Sequence, residues 1–215
     1  MKKQPLFFIL TMVCLLLLSI QAAAPAHAAE KLSELDSWTA QEYAQHLVDK
    51  FTEVKGKQVK LDANADEASG LSAGGGEGII LVPARGVKEG EENDAVYTEK
   101  GAGLACLFMS PRFNPMVDGK QIAQEKLLSV NYIDQDGDEK MATCLLLAIR
   151  NVEGDDWRLY AYGKDKKPVI DAKFGMAEEE AEGVIAMVSK EASEKDAKLV
   201  FTLFGKYAAN FKIGQ

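Results

Sequence analysis

The chain of 215 residues carries 25 basic and 33 acidic side chains, two histidines and three cysteines, for a net charge of −8. That balance argues against nucleic acids and anionic membrane surfaces as partners, since both draw their affinity from basic clusters. The scarcity of histidine and cysteine argues against a zinc site of the usual kind, which needs three or four such ligands. It argues equally against a Ser-His-Asp centre, which needs a histidine beside its nucleophile.

The N-terminus has the three-part grammar of a secretory signal: Lys2 and Lys3, an apolar run over 6–20, and the small-residue segment "AAAPAHAAE". The apolar run is too short to span a bilayer comfortably. Ala26 and Ala28 satisfy the A-x-A rule, which predicts a signal peptide over 1–28, a cut before Ala29 and export to the periplasm or beyond. Cys14 lies inside the apolar run rather than at its end, so it leaves with the signal and no membrane anchor is expected after cleavage. Removing Lys2 and Lys3 leaves 23 basic and 33 acidic side chains and a net charge of −10. Residues 29–215 are long enough to bury a core as one globular domain, and no linker, repeat or low-complexity tract divides them.

The first predicted element is a helix. Thr39 followed by Glu42 reads as a capping box, with Trp38 placed to staple onto Tyr43. Tyr43, Leu47, Val48, Phe51 and Val54 then recur at helical spacing, Gln41, Gln45, Asp49 and Lys50 face away, and Gly56 stops the run. His46 lies on the margin of the apolar stripe, a structural position.

From 57 to 174 the texture changes to short apolar runs separated by turn residues. Strands are predicted over 58–61, 78–82, 95–98, 103–109, 127–133, 139–151, 157–162 and 168–174. The short connections favour a mainly antiparallel sheet or sandwich over β-α-β units, hence an α+β fold with its β core over about 57–174. "ATCLLLAI" lacks polar alternation and should form a central strand covered on both faces, one cover being helical.

One or two C-terminal helices are predicted next. Ala177, Ala181, Val184, Ile185 and Val188 share a helical face, with Glu178, Glu179, Glu180 and Glu182 crowding the first turns, where the helix dipole favours acids. Leu199, Val200, Leu203, Phe204, Tyr207 and Phe211 also fall at helical spacing. Since "KLVFTLF" is a good strand too and Gly205 interrupts the helix, the alternative is a strand over 198–204 followed by a short helix.

Among motifs, "SAGGGEGII" resembles a phosphate loop only in its glycines. Such loops pass from a strand into a helix, whereas this one runs into the strand "GIILV" with no Lys-Ser or Lys-Thr after it. It is read as a flexible lead into that strand, and no cofactor is expected. "PARGVKEGEEND" is a long acidic loop, read as a solvated face with at most weak cation contact. "MSPRFNPMVDGK" presents Arg112 between prolines, a candidate contact for a small anion or peptide.

"IDQDGDEKMATC" sets Asp134, Asp136 and Asp138 at alternate positions, like the start of a calcium loop. An EF-hand beginning at Asp134 would need Gly at its sixth position and Glu at its twelfth, which are Glu139 and Leu145 here. The three aspartates are therefore weak ligand candidates, no metal site is assigned, and Asp136-Gly137 is read as a two-residue hairpin turn. That turn places Tyr132 opposite Met141, Val130 opposite Thr143 and Ser129 opposite Cys144.

Cys106 and Cys144 are a disulfide candidate in an oxidising compartment, the alternative being two buried thiols. The acidic turn at Glu153, Asp155 and Asp156 lies about 40 Å of strand away from the aspartates near Gly137, too far for paired catalytic carboxyls. These features favour an exported, non-catalytic module that binds an unidentified protein, peptide or envelope polymer. A carboxylate-based hydrolase of the cell envelope is the alternative.

Overall fold

A computed structural model describes residues 32–90, 93–134, 137–179, 181–190 and 196–214. The expected signal peptide and Asp136 lie outside them. Helix α1 spans Ser37–Phe51 and is capped by Asp36, whose side chain accepts the Thr39 N–H at 3.0 Å. The cap therefore sits three residues before the expected Thr39, and Trp38 falls in the first turn, 71% exposed, instead of stapling the helix. Ala40, Ala44, Leu47 and Phe51 form the buried stripe, with Tyr43 and Val48 packed beside it. The alanines let the helix lie close on the sheet.

Beneath α1 lies an antiparallel eight-stranded sheet. Its first four strands are β1 (Ser33–Glu34), β2 (Ser69–Gly74), β3 (Glu77–Pro83) and β4 (Ala102–Met109). Before it returns to this sheet the chain forms β5 (Asn114–Val117) and β6 (Lys120–Gln121), which belong to a second sheet. The first sheet is completed by β7 (Leu128–Ile133), β8 (Glu139–Asn151), β9 (Trp157–Tyr162) and β10 (Ile170–Lys173), in the order β1-β2-β3-β4-β8-β9-β10.

The long strand β8 organises this sheet. One edge pairs with β4; the other is shared end to end by β7, against Glu139 to Cys144, and β9, against Leu146 to Asn151. Where β9 ends and β7 begins, a Cβ on Gly163 would come within 2.0 Å of the Lys126 carbonyl oxygen, so only glycine allows the two strands to abut.

The second sheet has six strands, adding β11 (Gly175–Met176), β12 (Ile185–Lys190), β13 (Asp196–Leu203) and β14 (Tyr207–Gly214). β14 repeats the device of β8: β13 holds one edge, while β11 and β5 share the other. This is where the C-terminal expectation fails, because residues 185–190 and 196–214 are strands and α1 is the single α-helix among the described residues. Period two wins over period 3.6 because Ile185 and Met187, Leu199, Phe201 and Leu203, and Ala209, Phe211 and Ile213 all point into one core. The chain reverses through Phe204 (φ 52) and Gly205 (φ 65), and Gly183 (φ 91) closes off the acidic run before β12. Of the two alternatives for 198–204 the strand is correct, but β14 stands where the short helix was expected.

The protein is thus mostly antiparallel sheet with one helix, compatible with the α+β class, and its strands extend well beyond 57–174. The expected strand at 58–61 is a bent crossing without sheet partners, held close by Gly103, and the one at 95–98 is a 3-10 turn over Asp94–Tyr97.

Two cores flank the larger sheet. Ile79, Leu81, Leu107, Leu145 and Leu147 meet the second sheet, while Ile80, Phe108, Cys144, Leu146 and Tyr160 meet α1. "ATCLLLAI" is accordingly buried on both faces, as its lack of alternation requires. At about 1.5–3 kcal/mol for each large apolar side chain buried, this doubly covered strand anchors the fold.

Candidate functional site

The β7–β8 hairpin is in register one residue away from the expected pairing: Tyr132 faces Lys140, Val130 faces Ala142, Ser129 faces Thr143 and Leu128 faces Cys144. The connection is longer than two residues, because the Asp134 N–H donates to the Asp138 carbonyl at 2.9 Å and Gly137 takes φ 87. Asp134 closes this turn. One of its oxygens accepts the Asp138 N–H at 2.8 Å and the other lies 3.6 Å from the Lys140 ammonium, which is also 3.8 Å from Asp138.

The register turns Tyr132 toward α1, at the end of the sheet where three hollows meet around its ring. The first, about 190 Å³, has an apolar floor that includes Leu47, Leu71, Ile80 and Phe108. Tyr43, Ser110, the glycine turn and Tyr132 stand around its mouth. The second, about 310 Å³, shares Tyr43, Glu77, Ser110 and Tyr132 with the first and adds Pro111, Asp134, Lys140 and Met141. On the outer flank of α1, Trp38, Glu42, His46, Ile133 and Asp134 bound a third, about 640 Å³. Tyr132 lines all three, and the first two together reach the roughly 300–1,000 Å³ typical of small-molecule sites.

The glycine-rich segment builds one wall. Gly75 (φ 60) and Gly76 (φ 78) turn β2 into β3, conformations that glycine adopts freely. Ser110 clamps the turn: its hydroxyl accepts the Gly78 N–H at 2.8 Å and its own N–H donates to the Gly78 carbonyl at 3.0 Å. The segment read as a lead into that strand thus also forms a lip of the cleft.

Glu77, just past that turn, lines both inner hollows, and its Oε2 is buried without a hydrogen-bond partner. Burial holds the Tyr132 hydroxyl above the usual tyrosine value of 10.0, and the nearness of Tyr43, Glu77 and Asp134 pushes the same way. The phenol therefore stays protonated and can act as a hydrogen-bond donor at neutral pH.

Of the residues expected to bind, Asp134 reaches the cleft but serves the hairpin, and Asp138 lies exposed beside it. Arg112 stays outside, its guanidinium over the Phe113 ring at 5.7 Å, although its neighbours Ser110 and Pro111 line the cleft. His46 is exposed on the outer flank. Among the described residues, no group of three or more His, Cys, Asp or Glu side chains is placed to hold a metal ion.

The cysteine pair is corrected from disulfide to thiols. Cys106 and Cys144 are neighbours on β4 and β8, facing α1, and both are free and buried. Cys106 pairs with Leu146 and Cys144 with Phe108, so the two are diagonal rather than opposite. Burial pushes the Cys144 thiol well above its usual value, with Cys106 adding to the shift.

Sequence reasoning missed Glu77 and assigned Tyr43 and Tyr132 only to packing and register. The one available signal was an acid between glycines at the head of an apolar strand. No known protein family, curated protein or solved structure matches the chain.

Proposed function

We propose that the protein is an exported, non-catalytic binding module that seats a small ligand in the cleft between α1, the glycine turn and the β7–β8 hairpin. The observation that carries this reading is the convergence on Tyr132: hollows with an apolar floor, rimmed by two tyrosines, a serine hydroxyl and a carboxylate. Apolar concavity with a few placed polar groups is the usual composition of a ligand site.

The hydrolase alternative needs two carboxyls free to act on one bond. Glu77 and Asp134 do line one hollow, but Asp134 commits its oxygens to the Asp138 N–H and to Lys140. The arrangement therefore favours binding. Export is supported by the signal-like N-terminus, and N-terminal sequencing of the processed protein should begin at Ala29.

A fragment screen followed by amide chemical shifts tests the site. Hits should cluster on residues 75–78, 110 and 132, and Tyr132→Ala should remove them. Hits confined to the opposite end of the sheet, or none at all, reject the proposal.

A further inference from the structure

Resting on that reading of the cleft, we infer that its ligand is a small amphiphilic primary amine, bound as the ammonium by Glu77 with its apolar body on the floor between α1 and the sheet. Three observations converge on this class.

First, Glu77 lines both inner hollows, and its buried Oε2 has no hydrogen-bond partner. A carboxylate oxygen withdrawn from water without a donor is costly, and an incoming ammonium restores what it lacks with a charge-assisted bond. The nearby cation does not supply it, because Lys140 is placed between Asp134 and Asp138 at 3.6 and 3.8 Å.

Second, the rim selects by sign. Tyr43 and Tyr132 both line the two inner hollows, and aromatic rings attract cations through their negative faces. An anion would meet the Glu77 carboxylate, and the Lys140 ammonium of the second hollow is already placed beside Asp134 and Asp138. The Gly78 N–H does not face an incoming anion as a free donor, because it already donates to the Ser110 hydroxyl.

Third, Leu47, Leu71, Ile80 and Phe108 offer no polar group to the inner part of the ligand. A hydrophilic polyamine would leave its remaining charges over this floor. A single ammonium on a chain of several carbons fits both halves of the cleft.

Titration of the processed protein with hexylammonium, 1-hexanol and hexanoate, followed by amide shifts, tests the assignment. Hexylammonium should move the signals of 75–77 and 132 and bind at least about tenfold more tightly than hexanol or hexanoate, as expected for a charged hydrogen bond of about 1.5–3 kcal/mol. Glu77→Gln should abolish that preference. Hexanol or hexanoate binding in the cleft as tightly as the amine overturns the amine assignment and leaves the cleft standing. If none of the three moves the cleft signals, the cleft itself is not the site. The comparison on the unaltered protein decides the matter even if the variant fails to fold.

Discussion

Both ends of β8 are acidic, and one carboxylate beside each, Asp156 at the far end and Glu77 of β3 at the near end, is treated in the opposite way. At the far end Asp156 is saturated: Arg158 donates to its two oxygens at 2.7 and 2.9 Å, Lys173 lies 3.5 Å away, and Arg158 also reaches Asp171 at 3.3 Å. The turn is completed by Val152 and Asp156 N–H groups donating at 2.9 Å to the Asp156 and Glu153 carbonyls. At the near end a hollow opens over an apolar floor, and Glu77 keeps a buried oxygen without a donor. An abundance of acid is therefore no guide to a site. What sets Glu77 apart is that among the described residues no cation reaches it, whereas Arg158 holds Asp156 and, at the near end itself, Lys140 lies beside Asp134 and Asp138.

The strongest way to break this contrast is to remove the floor. Phe108 lies edge-on to Phe51 of α1, with ring centroids 5.6 Å apart, and lines the first hollow. Phe108→Ala should cost about 3–5 kcal/mol in denaturant unfolding and loosen α1, while the far end keeps its ion pairs. A loss below about 1 kcal/mol would mean that the helix does not rest on this ring.

Next comes the joint between the ends. Gly163→Ala would drive a Cβ into the Lys126 carbonyl and should cost roughly 2–3 kcal/mol, with amide signals of both β7 and β9 disturbed. A neutral result would show that the two strands do not abut there.

Alkaline titration sharpens the contrast between tyrosines. Burial, then Tyr160, pushes the Tyr162 hydroxyl up to about 12; that hydroxyl donates to the Lys100 carbonyl at 3.0 Å. An acid raised in the folded state binds more protons folded than unfolded, so stability is full below 10.0 and falls as pH rises toward about 12. A tyrosine absorbance component titrating near the upper value should vanish in Tyr162→Phe, together with that part of the stability loss.

The smallest effect is expected at the far end. The hydrogen bonds from Arg158 hold Asp156 below the usual 3.8, so its contribution is present above that value and lost as pH falls through the depressed one. Asp156→Asn should lower the melting temperature slightly at neutral pH and flatten its acid dependence below the usual value. An unchanged acid profile would show that the pair contributes nothing in solution, as exposed pairs often do.

Much of this fold was legible locally. Strands β8 and β9 coincide with their expected limits, because Leu, Ile, Tyr and Trp runs bounded by "QDGD" and "EGDD" punctuate themselves. The helix was legible through its stripe, though its cap was not, since Asp36 and Thr39 are both good capping residues and only the backbone decides between them. The site was hardly legible. Tyr43, Glu77, Ser110 and Tyr132 come from four separated segments, and nothing in their spacing announces that they meet.

By itself the sequence determined the acidic charge, the scarcity of histidine and cysteine, the helix α1 and the apolar central strand. Those properties follow from residue types and short-range periodicity. Only the tertiary structure decided that the C-terminal third is strand. Leu199 and Leu203 satisfy either period, Phe201 only the extended one, and an open core face opposite β8 is what selects it. The tertiary structure likewise settled the one-residue register at Asp134, which turns Tyr132 toward α1, and left Glu77 without a cation. Register and partnering depend on contacts between distant segments, and those exist only once the two sheets and the helix have closed on one another.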